Sequence, residues 1–201
     1  MKLLMTCFKP FGGQSLNASL ELLYRISNPY KNHPLYKLTL DVVYQEAGEA
    51  VIEEIKRIQP DLILLLGQAG GRSCLTLEYF ALNMRSSAIK DNKGTVLELQ
   101  EIEKDGASAL KTTIPLEQIK DCLGDTLKLS YHAGTYVCND VYYQVLSFIE
   151  KNRLEIPCAF VHIPYLEEQG KPHMMLDAAL ETLTTLLDHL LEEPYGTLSG
   201  N

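Results

Sequence analysis

Five consecutive aliphatic residues, Leu62-Ile63-Leu64-Leu65-Leu66, stop at Gly67. No polar residue interrupts the run, so a strand made from it has no face to offer to water. That is the pattern of a strand covered on both sides, as in a parallel sheet with helices above and below. The remaining segments fit such a plan. Leu3–Phe8 reads as another short buried strand, after which Pro10, Gly12 and Gly13 force a turn. Asn17 or Ser15 caps a helix running to about Tyr24, with Leu20, Leu23 and Ile26 on one face. Leu38–Val43 alternates as a strand. Gly48–Ile58 places Val51, Ile52, Ile55 and Ile58 at helical spacing and is ended by Pro60. Leu75–Met84 reads as extended, Asp91–Gly94 as a turn, and Thr95–Ile114 as either a hairpin or an excursion. Then come a helix over Leu116–Leu123 ended by Gly124, a strand over Leu127–Ser130, and a helix from about Asn139 to Glu150 after Gly134. A strand over Cys158–Ile163 is closed by Pro164. A last helix over Met174–Glu192 carries the stripe Leu176, Leu180, Leu183, Leu187 and Leu190. Strands alternating with helices predict an α/β fold: a three-layer α/β/α sandwich with a mainly parallel, partly mixed twisted sheet. In such folds the chemistry sits at the carboxyl ends of strands.

At 201 residues the chain suits a single domain over residues 1–201, large enough to bury a core without a disulfide or metal staple. The polar stretch at residues 196–201 is expected to fray. A formal net charge of -8, with Lys and Arg scattered, gives no basic patch for nucleic acid. No segment approaches the roughly 20 apolar residues of a membrane span, and the apolar stretch at Met1–Met5 is too short for a signal peptide. The five cysteines, Cys7, Cys74, Cys122, Cys138 and Cys158, are odd in number and contain no C-x-x-C pair. Neither a disulfide framework nor a zinc site is expected, and free thiols fit a reducing, cytoplasmic setting.

Three segments stop abruptly after apolar runs: Gly67-Gln68-Ala69-Gly70-Gly71-Arg72, Ala133-Gly134-Thr135-Tyr136-Val137-Cys138-Asn139, and Phe160-Val161-His162-Ile163-Pro164. The second places Cys138 at or just before a helix N-terminus, where unpaired N–H groups and the helix dipole favour a thiolate. A free cysteine is otherwise a small buried hydrophobe, which is the reading for Cys7, Cys74, Cys122 and Cys158. His162 is either a core histidine satisfied by one hydrogen bond or a base titrating near neutrality. His132 is closer to Cys138 in sequence but precedes the glycine turn and reads as a surface residue, while His33, His173 and His189 read as solvated. Glu78 sits in the apolar stretch Leu75–Leu82, so it either faces solvent from an edge strand or orients a Cys–His pair. Gly67–Arg72 is a plain turn or an anion cradle. Walker and GxGxxG spacings are both absent.

Taken together, four stretches resemble pyroglutamyl peptidase I, a cysteine peptidase family. They are Phe8-Lys9-Pro10-Phe11-Gly12-Gly13 with Asn17; Gly67–Arg72 through Glu78 and Asn83 to Asp91-Asn92; Ala133–Asn139; and Phe160–Pro164. The resemblance implies a compact α/β/α fold and a catalytic triad of Cys138, His162 and Glu78. It also implies an apolar pocket for a flat lactam ring walled by Phe8, Phe11, Ile89, Tyr136 and Val137, with Gln68 near the ring. Further implications are peptide substrates bearing an N-terminal pyroglutamate, no cofactor or metal, a cytoplasmic location and a homotetramer.

Against the family pattern, Cys7 stands for a usual Gly beside the expected pocket, Lys9 for a common acidic residue, Ala88 for a common Arg, and Tyr136 for Phe. Two other readings of the sequence are a non-catalytic pyroglutamyl-peptide-binding relative and a phosphorylase that holds phosphate on Gly67–Arg72.

Overall fold

The computed structural model describes residues 1–192. In chain order the elements are β1 (Leu3–Phe8), α1 (Ala18–Arg25), β2 (Leu35–Leu40), α2 (Glu46–Ile58), β3 (Leu62–Gln68), β4 (Leu75–Leu82), β5 (Arg85–Ser87), β6 (Leu97–Gln100), β7 (Ala109–Lys111), α3 (Leu116–Ile119), β8 (Leu127–His132), α4 (Val137–Lys151), β9 (Cys158–Ile163), β10 (Tyr165–Leu166), β11 (His173–Met174) and α5 (Leu176–Glu192). The main sheet runs β2-β1-β3-β9-β4-β8, with β7 on β4 beyond the end of β9. The four strands β2, β1, β3 and β9 are parallel, and β4 lies antiparallel to β9 and parallel to β8. The fold is thus α/β with a mostly parallel, partly mixed sheet. The aliphatic run of β3 sits at its centre, with every residue of that strand buried.

Side-chain alternation divides each strand between two cores. Leu3, Met5 and Cys7 of β1, Leu62, Leu64 and Leu66 of β3, and Val161 and Ile163 of β9 face a core shared with α1, α3 and α5. Leu4 and Phe8, Ile63 and Leu65, and Cys158 and Phe160 face the opposite core, shared with α2 and α4. Each large aliphatic side chain so buried contributes about 1.5–3 kcal/mol to the folded state before chain entropy is counted.

Several boundaries differ from the sequence expectation. The second strand is Leu35–Leu40 rather than Leu38–Val43, because its register is set by pairing with Leu3–Phe8; Val42 and Val43 are buried in the turn leading to α2. β3 does not stop at Gly67, since Gly67 and Gln68 still pair with His162 and Ile163. β8 runs two residues past Ser130 and ends at His132, which pairs with Phe80. The helix expected over Leu116–Leu123 is one α turn continued as a 3₁₀ turn at Lys120–Cys122. α4 begins at Val137, earlier than Asn139. α5 begins at Leu176, because His173–Met174 pairs with Tyr165–Leu166. Its buried stripe is Ala179, Leu183, Leu186, Leu187 and Leu190. The ambiguous stretch holds both alternatives: β6 forms a hairpin with β5, and β7 adds to the main sheet. The tail expected to fray, 196–201, lies outside the described residues.

Candidate active site

Alternation along β9 and β4 decides which polar side chains meet. His162 shares the α4-facing side of β9 with Phe160, and Glu78 lies opposite Phe160 on the neighbouring strand. His162 and Glu78 are therefore diagonal cross-strand neighbours on one face. The His162 ring donates from Nδ1 to Glu78 Oε1 at 2.7 Å. Glu78 is fully buried and His162 nearly so. An isolated carboxylate at such a depth is strongly disfavoured. Here Oε1 also receives the Thr76 hydroxyl at 3.1 Å and the Arg72 guanidinium. Burial raises the Glu78 carboxyl, but the His162 bond and the Arg72 charge outweigh it, so the group lies below its ordinary range. Burial dominates for His162 and lowers its pKa, although Glu78 pulls the other way. With Nδ1 engaged, Nε2 is the nitrogen left for chemistry.

Cys138 reaches this pair from the helical layer. Gly134, at φ +80°, reverses the chain between β8 and α4 in a conformation that disfavours a Cβ. The N-cap of α4 is Tyr136, which makes no side-chain capping bond, so Cys138 occupies the first turn beside uncapped N–H groups. A Cβ added to Gly67 would lie 2.9 Å from Cys138 Sγ and 2.7 Å from Phe160 Cζ, so the sulfur rests directly on the end of β3. Gly67 is also the register partner of His162, and the Phe160 and His162 rings are 4.7 Å apart between centroids. Cys138, His162 and Glu78, distant in sequence, thus share one corner of the sheet. The Sγ–Nε2 hydrogen bond is not closed in this arrangement, as is common before substrate aligns such pairs. Burial pushes the Cys138 thiol up to about 12, with Glu78 adding to the rise, while Arg72 and the residue's own N–H act against it.

The turn that carries Cys138 is pinned to the chain after β4. Thr135 Oγ1 donates to Ser86 O at 2.6 Å, and Ser86 N to Thr135 O at 2.9 Å. Tyr136 Oη donates to Lys90 O at 2.9 Å. Asn139 accepts from Leu82 N and donates to Leu82 O and Met84 O. Asp140, fully buried, accepts from Arg85 Nε and from Gln45 N, each at 2.6 Å. Sequence reasoning assigned no role to Asn139, Asp140 or Arg85, and gave Arg72 only a place in a candidate anion cradle. The position of Asn139 beside Cys138 was the only local signal for it. Position 88 carries no guanidinium, but Arg85, three residues earlier, places one against the first turns of α4.

Of the expected pocket residues, Phe8 and Val137 are buried in the α2/α4 core, and Phe11, Tyr136 and Cys138 pack against it. The Tyr136 ring lies 5.9 Å from Phe11 and 5.6 Å from Tyr44 between centroids. Ile89 stands apart from this cluster, 54% exposed on the segment that Tyr136 anchors. Gln68 is not brought to Cys138. Alternation turns it to the α1 side, where Oε1 accepts from Ala18 N at 2.7 Å and from Gln169 Nε2 at 2.8 Å. Cys7 likewise faces the α1/α5 core, 3.5 Å from Thr39 Oγ1, so the expectation that it borders the pocket is corrected. Lys9 makes an exposed pair with Asp41. Asp91 and Asn83, quoted in the resemblance, organise turns: Asp91 accepts from Tyr44 N, Lys93 N and Thr95 N, and Asn83 accepts from Ile102 N and Glu103 N. Among the described residues no group of His, Cys, Asp and Glu is arranged to hold a metal ion.

Known proteins share this sequence pattern and fold. The family model for pyroglutamyl peptidase matches residues 1–193. The chain is 36% identical to pyrrolidone-carboxylate peptidase 1 of Caldanaerobacter subterraneus subsp. tengcongensis, covering 93% of this chain and 96% of that protein. It is 35% identical to the pyrrolidone-carboxylate peptidase of Enterococcus faecalis, covering 98% and 94%. Among solved structures, pyrrolidone carboxyl peptidase from Fervidobacterium islandicum superposes with a TM-score of 0.89 at 34% identity, covering 96% of this chain and 99% of that one. Pyroglutamyl peptidase I from Bacillus amyloliquefaciens superposes with a TM-score of 0.86 at 34% identity, covering 94% and 93%. Sequence and fold agree over nearly the whole length of each of these proteins, and on that footing the chain belongs to the pyroglutamyl peptidase family.

Proposed function

We propose that this protein is a cysteine-type omega peptidase that removes an N-terminal pyroglutamyl residue from peptides, with Cys138 as nucleophile, His162 as acid–base and Glu78 as the group that orients the imidazole. The observation that carries the reading is the buried His162–Glu78 hydrogen bond beside a cysteine in the first turn of an uncapped helix. His162 Nε2 takes the Cys138 proton as sulfur attacks the pyroglutamyl carbonyl carbon. The resulting oxyanion is met by N–H groups of the first turn of α4. The C–N bond then breaks, and the imidazolium gives its proton to the departing amine. Water, deprotonated by the same nitrogen, attacks the thioester carbon, releasing pyroglutamate and restoring the thiol. No cofactor enters these steps.

The apolar cluster of Phe8, Phe11, Tyr136 and Val137 beside Cys138 suits a flat, uncharged lactam, with Ile89 completing the wall when the ring is seated. A glutamyl residue in the same place would bring a carboxylate and an ammonium among apolar groups and is rejected. The Arg72 guanidinium is engaged by Glu78, which leaves Gly67–Arg72 without the free cation that a phosphate cradle needs. Free thiols at all five cysteines favour the cytoplasm as the place of action. The exposed apolar side chains Met84, Ile89, Val96 and Leu99 around the β5–β6 hairpin favour a homo-oligomer, a tetramer by analogy with the family.

The test is release of aminomethylcoumarin from its pyroglutamyl conjugate, with prolyl and glutamyl conjugates as controls. Wild type is expected to cleave the pyroglutamyl conjugate alone, Cys138→Ser and His162→Ala to lose cleavage, and Cys7→Ala to keep it. A folded wild type that binds a pyroglutamyl peptide without cleaving it would replace the peptidase by a binding protein.

A further inference from the structure

The Cys–His–Glu reading leaves one charge without a role. Arg72 follows the glycine turn after β3, and its side chain, 28% exposed, reaches inward to a carboxylate with no exposure at all. Nη1 contacts both Glu78 Oε1 and Thr76 Oγ1. Glu78 Oε2, buried as well, has no partner within hydrogen-bond distance among the described residues, and the His162, Thr76 and Arg72 contacts all fall on Oε1. Around it stand His162 from β9, Thr76 from β4, Ser130 from β8, and Cys138 from α4, with the Tyr142 hydroxyl on the Glu78 carbonyl at 3.1 Å. Arg72 is the one permanently charged cation in this set, since a guanidinium does not deprotonate in proteins.

Its charge matters because Glu78 alone has opposite effects on the two reacting groups. The carboxylate favours a protonated His162 but repels a Cys138 thiolate. A cation on the same oxygen opposes both effects and balances the carboxylate's charge, so that the proton passes from sulfur to imidazole beside a paired, not a bare, carboxylate. We infer that Arg72 is a positioning residue for the reaction: the fixed counter-ion that keeps Glu78 ionised and offsets its repulsion of the Cys138 thiolate. This rests on the reading of Cys138 as nucleophile. It gives the arginine of the Gly67–Arg72 turn a job inside the site in place of anion binding.

The test needs no peptide substrate. The rate of Cys138 alkylation by iodoacetamide is followed against pH, with mass spectrometry to resolve the modified cysteine, in wild type, Arg72→Gln and Arg72→Lys. Thermal unfolding establishes that the variants are folded, and Arg72→Met replaces Arg72→Gln if the latter is not. Loss of the cation is expected to slow Cys138 alkylation about tenfold at every pH below the thiol's midpoint, the slope of rate against pH being unchanged. Arg72→Lys, which keeps a point charge, is expected to recover most of this loss. A rate unchanged in folded Arg72→Gln overturns the inference, as does an equal loss in the Lys and Gln variants, which would assign Arg72 to shape alone. A wild-type Cys138 inert across the whole pH range would instead overturn the nucleophile reading beneath it.

Discussion

The N-termini of α1 and α4 stand on opposite faces of the same sheet and are finished in opposite ways. At α1, Asn17 Oδ1 accepts from Ser19 N at 3.0 Å, and Gln68 Oε1 accepts from Ala18 N at 2.7 Å. Ser19 Oγ in turn receives Phe8 N at 3.1 Å. The helix end is closed by side chains, and the loop from β1 is tied into the closure through Asn17 Nδ2 and Lys9 O. At α4 the N-cap is Tyr136, whose side chain bonds to Lys90 O instead of capping the helix. Asn139, placed where a capping-box residue would reach back, holds Leu82 and Met84. The second helix is held as firmly as the first, but from outside, and its first N–H groups stay free beside Cys138. Closure satisfies the backbone and stabilises; leaving it open, with the turn fixed by neighbours, makes a place for developing negative charge.

The comparison breaks first at Cys138. Cys138→Ser is expected to lower kcat/KM for a pyroglutamyl substrate by about 10⁴-fold or more, leaving the fold intact. Glu78→Gln comes next. It keeps a hydrogen-bonding shape at Oε1 but removes the charge that supports the imidazolium, and a loss of about 10³–10⁴-fold is expected. The sign of its pH effect follows from the same contact. Glu78 raises the His162 pKa against the larger lowering by burial. The acid limb of kcat/KM in wild type therefore lies below the ordinary histidine range, and in Glu78→Gln it moves lower still while the plateau falls. A limb that moves upward would remove Glu78 as the partner of the reactive imidazole.

Much of this was open to sequence reading, and the part that was not has a physical cause. The unbroken aliphatic run at Leu62–Leu66, the helical stripe of α2 and the apolar strand before Pro164 are signals spread over several residues, and each matches an element. Cys138 and His162 were visible because each follows an apolar run at a chain reversal. The contacts of Arg72 and Asp140 were not, because the partners that make sense of them, Glu78 and Arg85, depend on which strand and helix faces meet. Gln68 shows the same limit from the other side: motif position put it near the ring, but a strand that continues through Gly67 turns it toward α1. The expected second strand runs past the end of β2 because Val42 and Val43 extend the apolar signal beyond the last paired residue, Leu40.

Gly67→Ala sharpens the comparison by disturbing α4 alone. The new Cβ would meet Cys138 Sγ and Phe160 within 3 Å, and neither neighbour is the loose end of a flexible chain. The sulfur has to shift. Misplacement on the ångström scale costs about 100-fold in rate, while the overpacking costs about 1–3 kcal/mol of stability. Kinetics and denaturant unfolding of the one variant separate these two losses. A rate within a few-fold of wild type would mean that the contact with Gly67 does not set the position of the nucleophile.

Asn17→Ala tests the closed end and carries the smallest expected effect. It removes the cap from Ser19 N and the bond to Lys9 O, and loss of an N-cap costs about 0.5–2 kcal/mol. For a chain of 201 residues that corresponds to a fall in Tm of about 2–4 °C per kcal/mol. Because the Gln68 contact to Ala18 N survives, α1 should shorten little. The rate constant kcat should stay within a few-fold of wild type, since the loop held by Asn17 carries Phe11 but none of the groups that move protons. KM is where any kinetic change should appear, through Phe11 against Tyr136. A large fall in kcat with little change in Tm would invert the comparison, making the capped helix part of the chemistry and leaving the difference between the two N-termini without functional meaning.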